Sequence, residues 1–190
     1  MGNVIEICLM TTFILLGQLT AQGSAAFESS AFQSPVSGSE RARVEFLAGH
    51  FSTVTLIPPS PSMPKGATGK GTSVISWVLD STFLSIEEQS VNSLFGKYKG
   101  HGMLGYDSQT HEFVLSMFNN FGDHPIYHGN FVGDTLVLQT KVPSPRGTFD
   151  QKLLWYKEGE LVKLKVLNDM GKGSDLVLEQ TATPVPQKMK

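Results

Sequence analysis

Residues Trp77 to Asn120 read WVLDSTFLSIEEQSVNSLFGKYKGHGMLGYDSQTHEFVLSMFNN, and the reading of this stretch decides the fold. Its apolar side chains recur at every second position, the period of a strand half-covered by a core. Thr82–Gln89 sets Leu84, Ile86 and Glu88 on one face. Leu94–Tyr106 sets Lys97, Lys99 and His101 against Tyr98 and Leu104, and the lysine side should meet solvent. His111–Asn119 sets Phe113, Leu115 and Met117 opposite Glu112. Asp80-Ser81 and Asp107-Ser108-Gln109-Thr110 separate the runs, and Asp and Ser favour turns by bonding their own backbone. Connections this short join antiparallel neighbours. The stretch is predicted to be one wall of an antiparallel sheet.

The theme continues on both sides. Phe51–Ile57 is a first strand ended by Pro58-Pro59, and Thr68–Leu79 places Ser73, Ile75, Trp77 and Leu79 on one face. Further strands are predicted over Ile126–Val132, Thr135–Val142, Phe149–Tyr156, Leu161–Leu167 and Leu176–Ala182. Leu161–Leu167 is the clearest, with Val162, Leu164 and Val166 set against Lys163 and Lys165. A meander of about ten strands closes most simply into an up-and-down β-barrel, which removes the edge strands. The expected class is therefore all-β, a single antiparallel lipocalin-like barrel. Arg41–Ala48 adds a short N-terminal helical turn stopped by Gly49. A barrel of this size is filled by side chains or holds one small ligand.

Val4–Leu19 is apolar and Ser24-Ala25-Ala26 follows as a small-residue cleavage pattern, so residues 1–26 resemble a secretory signal peptide. No Lys or Arg precedes the apolar run and Glu6 lies inside it, which leaves an uncleaved anchor as the other reading. Residues 27–40 read as a flexible leader, 41–183 as the barrel and 184–190 as a tail. The expected location is secreted or periplasmic, with no stable membrane insertion once the signal is removed. Cys8 is the sole cysteine and lies in that segment, so a processed chain would have neither disulfides nor a thiolate for catalysis or metal binding. A formal charge of −2 gives no field that would draw nucleic acid.

Trp77, Tyr98, Phe113, Met117 and Trp155 fall on predicted inner faces, where they line an apolar cavity or simply pack a core. Glu88 joins them if its strand has no bulge. With a bulge, Glu87 or Gln89 turns inward instead. An inward Glu88 is a site candidate because burial raises a carboxyl pKa or demands a fixed partner. His124 and His128 are four apart, but on a strand that spacing separates them by about 13 Å, too far for one metal. No metal or other cofactor is expected, and no G-x-S-x-G motif marks a nucleophile. Gly100-x-Gly102-x-x-Gly105 mimics a dinucleotide fingerprint but lacks the following helix. Its glycines are expected to relieve crowding where a barrel wall bends. The proline-rich loop Pro58–Lys65 is either a lid over the mouth or a plain surface excursion.

The order Trp77-Val78-Leu79, Phe83-Leu84, Gly100-x-Gly102-x-x-Gly105-Tyr106-Asp107, Phe113–Phe118, then Gly129 before Thr135-Leu136 resembles a bacterial family, domain of unknown function 1579. The resemblance spans roughly residues 43 to 182 and implies a lipocalin-like barrel without implying an activity. That family often has Trp and Asp near the end of the strand after Gly-Tyr-Asp; here the residues are Met117-Phe118-Asn119-Asn120, so no role tied to that pair carries over. The leading expectation is an exported barrel that binds a small, mostly apolar molecule. The alternatives are a hydrolase- or isomerase-like enzyme with an acid/base pair inside the barrel, and a filled-barrel interaction module. A cavity of about 300 Å³ or more, lined by Trp77 and Trp155, would favour the binder.

Overall fold

Ten strands follow one another around a closed barrel in the computed structural model, which describes residues 38–186 apart from positions 62, 145, 146 and 172. They are β1 (Gly49–Ile57), β2 (Ala67–Val78), β3 (Phe83–Asn92), β4 (Gly96–Asp107) and β5 (Glu112–Asn119). The second half is β6 (Ile126–Val132), β7 (Thr135–Ser144), β8 (Gly147–Glu158), β9 (Leu161–Asp169) and β10 (Ser174–Pro184). Each strand pairs antiparallel with its neighbour in sequence, and β10 closes on β1 from Phe51↔Pro184 to Leu56↔Glu179. Closure leaves no edge to aggregate, as the even spacing of turn signals implied. The proposed signal peptide, and the leader as far as residue 37, lie outside the described residues.

The wall quoted at the outset forms as predicted, three strands in unbroken register. Trp77 pairs with Leu84 and Leu84 with Leu104, while Glu88 pairs with Gly100. No bulge interrupts β3, so alternation carries inward from Leu84 and Ile86 through Glu88 to Ser90 and Asn92. A register shift lies instead between Leu176 and Leu178 of β10. Leu79 departs from the expected inner face. Leu79, Asp80 and Ser81 all take left-handed backbone angles (φ 50°, 55° and 62°), and this tight turn leaves Leu79 66% exposed.

The helical segment starts earlier than predicted. α1 spans Gly38–Val44, and the 3₁₀ turn Glu45–Leu47 follows it directly. Together they plug one end of the barrel, with Val44 and Leu47 fully buried against Phe51, Leu84, Phe113 and Leu136. Polar and cationic groups pin the plug from outside. The Trp77 indole Nε1 donates to Glu45 Oε2 at 2.9 Å, Arg41 lies 4.9 Å over the Trp77 ring, and Arg43 lies 4.1 Å over Phe131.

Candidate functional site

The inner faces that pack around the helix do not fill the other end of the barrel. There a cavity of about 250 Å³ remains, partly open to solvent. Ile86, Leu115, Met117, Leu153 and Trp155 form its apolar wall. Asn92 and Phe95 at the β3–β4 turn, with Asn119 and Phe121 after β5, form its rim. No described residue of the proline-rich loop lines it, although β1 delivers that loop to the same end of the barrel. Of the two readings of that loop this favours the plain surface excursion, and Phe95 and Phe121 stand at the mouth.

Into this apolar space project a few polar groups. Glu88 comes from β3 and Gln180 from β10 across the lumen, and the Gln180 side chain hydrogen-bonds the Glu88 carboxyl. β2, which lies between β3 and β1, places Gly69 and Gly71 on its inner face, so no side chain rises from those positions. Burial pushes the Glu88 carboxyl above its usual range, and the Gln180 bond only partly opposes this. Part of the Glu88 side chain stays accessible because it borders the cavity. Gln180 is its one hydrogen-bond partner among the described residues, whereas a carboxylate can accept about four. Beside it on β2, its register partner Ser73 holds a buried hydroxyl with no partner among the described residues.

Tyr98 reaches the same place through a missing side chain. Its ring lies along β4 over Gly100, where a Cβ would sit 2.5 Å from the phenol oxygen. Gly100 is the register partner of Glu88, so the glycine lets the phenol lie next to the carboxyl. Burial raises the Tyr98 pKa well beyond the usual phenol range, and the negative charges of Glu88, Tyr127 and Asp123 raise it further. Gly102 serves Met117 in the same way, since a Cβ there would collide with the Met117 sulfur. These two glycines relieve crowding, as expected, and the side chains they make room for belong to the cavity. Tyr127 is pushed up to about 12 by burial and then by Asp123. Its hydroxyl donates to Gln151 Oε1 at 2.6 Å, and the Gln151 amide donates to Asn168 Oδ1 at 2.9 Å.

Of the residues singled out from sequence, Glu88, Tyr98, Met117 and Trp155 line the cavity. Trp77 and Phe113 do not. Both belong to the plugged end, Trp77 held by Glu45 and Arg41, and Phe113 packed edge-on between Tyr106 and Phe131 at 5.2 and 5.6 Å. Two-residue periodicity identifies the inner face but not the depth along the barrel axis. Gln151, Gln180 and Tyr127 went unpredicted, yet Gln151 is in phase with Leu153 and Trp155, and Gln180 with Ala182. A polar residue in phase with an apolar inner series was the available signal. Among the described residues no histidine lines the cavity, and no group of three or more His, Cys, Asp or Glu is placed to hold a metal.

Residues 19–169 match a family described as protein of unknown function (DUF1579). The chain belongs to this family. A solved structure, that of Rv2717c from M. tuberculosis, superposes on the DUF1579 barrel with a TM-score of 0.55 at 14% identity, over 80% of this chain and 99% of the other. At that identity the likeness concerns the fold alone. No curated protein matches the sequence. What this DUF1579 chain brings to the shared fold is its own lining: an apolar chamber with one carboxyl, two phenols and a hydrogen-bonded amide chain.

Proposed function

We propose that the barrel binds one small molecule with a mostly apolar body and a polar end. The observation that carries this reading is the cavity itself, about 250 Å³ of space with an apolar wall and a converging cluster of Glu88, Tyr98 and Gln180. A dry apolar cavity of about 150 Å³ accepts benzene, so this one suits a ligand of on the order of ten non-hydrogen atoms. The volume falls short of the about 300 Å³ set as the mark of a binder, and of the two tryptophans in that criterion Trp155 but not Trp77 stands on the wall. Apolar pockets with few polar groups are the usual form of a ligand site. Native mass spectrometry of the protein purified from its source tests the reading. Wild type should carry a small molecule that is absent from Ser90→Phe, which places a ring in the chamber. Repeated preparations in which both travel empty would sink it.

The adjacency of Glu88 and Tyr98 supports a second reading, an acid–base enzyme working on the bound molecule. A copurified compound that changes in mass on incubation with wild type but not with Tyr98→Phe would favour it. The apolar run Val4–Leu19 with Ser24-Ala25-Ala26 supports export, placing the barrel in a secreted or periplasmic setting. Intact-mass analysis should then find a mature chain starting at Phe27; a mature chain retaining Met1–Ala26 would contradict cleavage.

A further inference from the structure

The cavity is electrically one-sided. Among the described residues Glu88 is its only carboxyl, and no described Lys, Arg or His lines it. The groups beside Glu88 are the Tyr98 phenol on β4, the Gln180 amide on β10 and the Ser73 hydroxyl on β2, and the Tyr127 phenol on β6 lines the same cavity. None of these can supply a positive charge. Asp123, in the loop after β5, adds a second negative charge close to both phenols. The lysines of β4, Lys97 and Lys99, lie on the outer face of the wall and are exposed.

From this arrangement we infer that the ligand is a small organic ammonium ion, its nitrogen seated against the Glu88 carboxylate and its carbon body against the apolar wall. The inference rests on the reading of the barrel as a small-molecule binder and specifies that ligand's charge. An ionised carboxylate against an apolar wall is costly without a compensating charge, and the described residues supply none there. A cationic ligand brings that charge and donates N–H groups to the carboxylate's unused acceptor positions. The aromatic faces of Tyr98, Tyr127 and Trp155 border the same space and attract cations. An anionic ligand would meet Glu88 and Asp123 with like charge. Desolvation raises the Glu88 pKa, and a cation seated beside it would oppose that shift.

Isothermal calorimetry on the full chain with benzylamine, benzyl alcohol and benzoate tests the inference, because the three share one ring and similar size but carry positive, zero and negative charge. Benzylamine should bind about tenfold or more tighter than benzyl alcohol, and benzoate weakest. Glu88→Gln, nearly the same shape, should abolish the amine's advantage over benzyl alcohol. Ser90→Phe should weaken all three. Benzyl alcohol or benzoate binding as tightly as the amine would overturn the cation assignment and leave the binder reading intact. Binding of none of the three would overturn both. An amine whose affinity is untouched by Ser90→Phe sits elsewhere, which also overturns the assignment. The ranking on wild type stands whether or not either variant folds.

Discussion

The two ends of the barrel are built from the same strands with the same alternation and are filled in opposite ways. Along β3 the inner series runs Leu84, Ile86, then Glu88, Ser90 and Asn92. Along β5 it runs Phe113 and Leu115, then Met117 at the cavity. Along β10 it runs from Ala182 at the plugged end to Gln180 and Leu178. At the helix end, Leu84, Phe113 and Leu136 close around Val44 and Leu47, and all five side chains are buried. At the mouth, polar groups face open space. A chain selected only for stability gains more by filling such space than by burying a carboxyl with one hydrogen bond. The proposed binding function rests on this difference.

Substitutions should follow that division. Phe113→Ala and Leu47→Ala, at the plugged end, should each cost about 3 to 5 kcal/mol in urea unfolding, because both side chains are fully buried and their sites cannot collapse. Met117→Ala should cost less, about 2 kcal/mol, since its side chain already borders a cavity. Equal losses at the two ends would break the comparison. The glycines divide in the same way. Gly129→Ala drives a Cβ into the Val137 carbonyl oxygen at the plugged end, whereas Gly100→Ala meets the movable Tyr98 phenol. The first should cost about 1 to 3 kcal/mol and the second less, while the second displaces Tyr98 and weakens ligand binding.

Glu88 gives the comparison a pH dependence. Its folded pKa is raised above the unfolded value of 4.5. Protonated Glu88 therefore contributes stability that is fully present below pH 4.5 and lost as pH rises through the raised folded value. Relative to Glu88→Gln, wild type should become progressively less stable across that window when unfolding is followed at a series of pH values. A gap that stays constant with pH would mean that the carboxyl is solvated or paired in a way the structure does not show. The smallest effect belongs to the outside of the plug. Trp77→Phe removes the bond to exposed Glu45 and weakens the contact with Arg41, and should cost about 1 kcal/mol without altering ligand binding.

The barrel was legible because period-two alternation and turn residues recur along the whole chain, and in a meander each strand can pair only with its neighbours. The inward Glu88 was legible on the condition that β3 had no bulge, and the unbroken pairing with β2 and β4 meets it. Depth was not legible. Trp77 and Phe113 share the inner parity of Met117 and Trp155, yet one pair packs at the plug and the other lines the chamber. Which end the helix fills depends on tertiary contacts of Val44 and Leu47 that no local pattern announces. Nor did the glycine spacing reveal that Gly100 and Gly102 exist to seat Tyr98 and Met117, because that follows from side chains leaning along and across strands.

The most direct test is a two-dimensional amide NMR titration with benzylamine. Shifts should cluster at the mouth half, at Glu88, Tyr98, Met117 and Gln180, and leave Leu47, Phe113 and Ala182 unmoved. Shifts confined to the outer wall or centred on the plug, or no shifts at millimolar ligand, would contradict the division of the barrel into a structural end and a binding end.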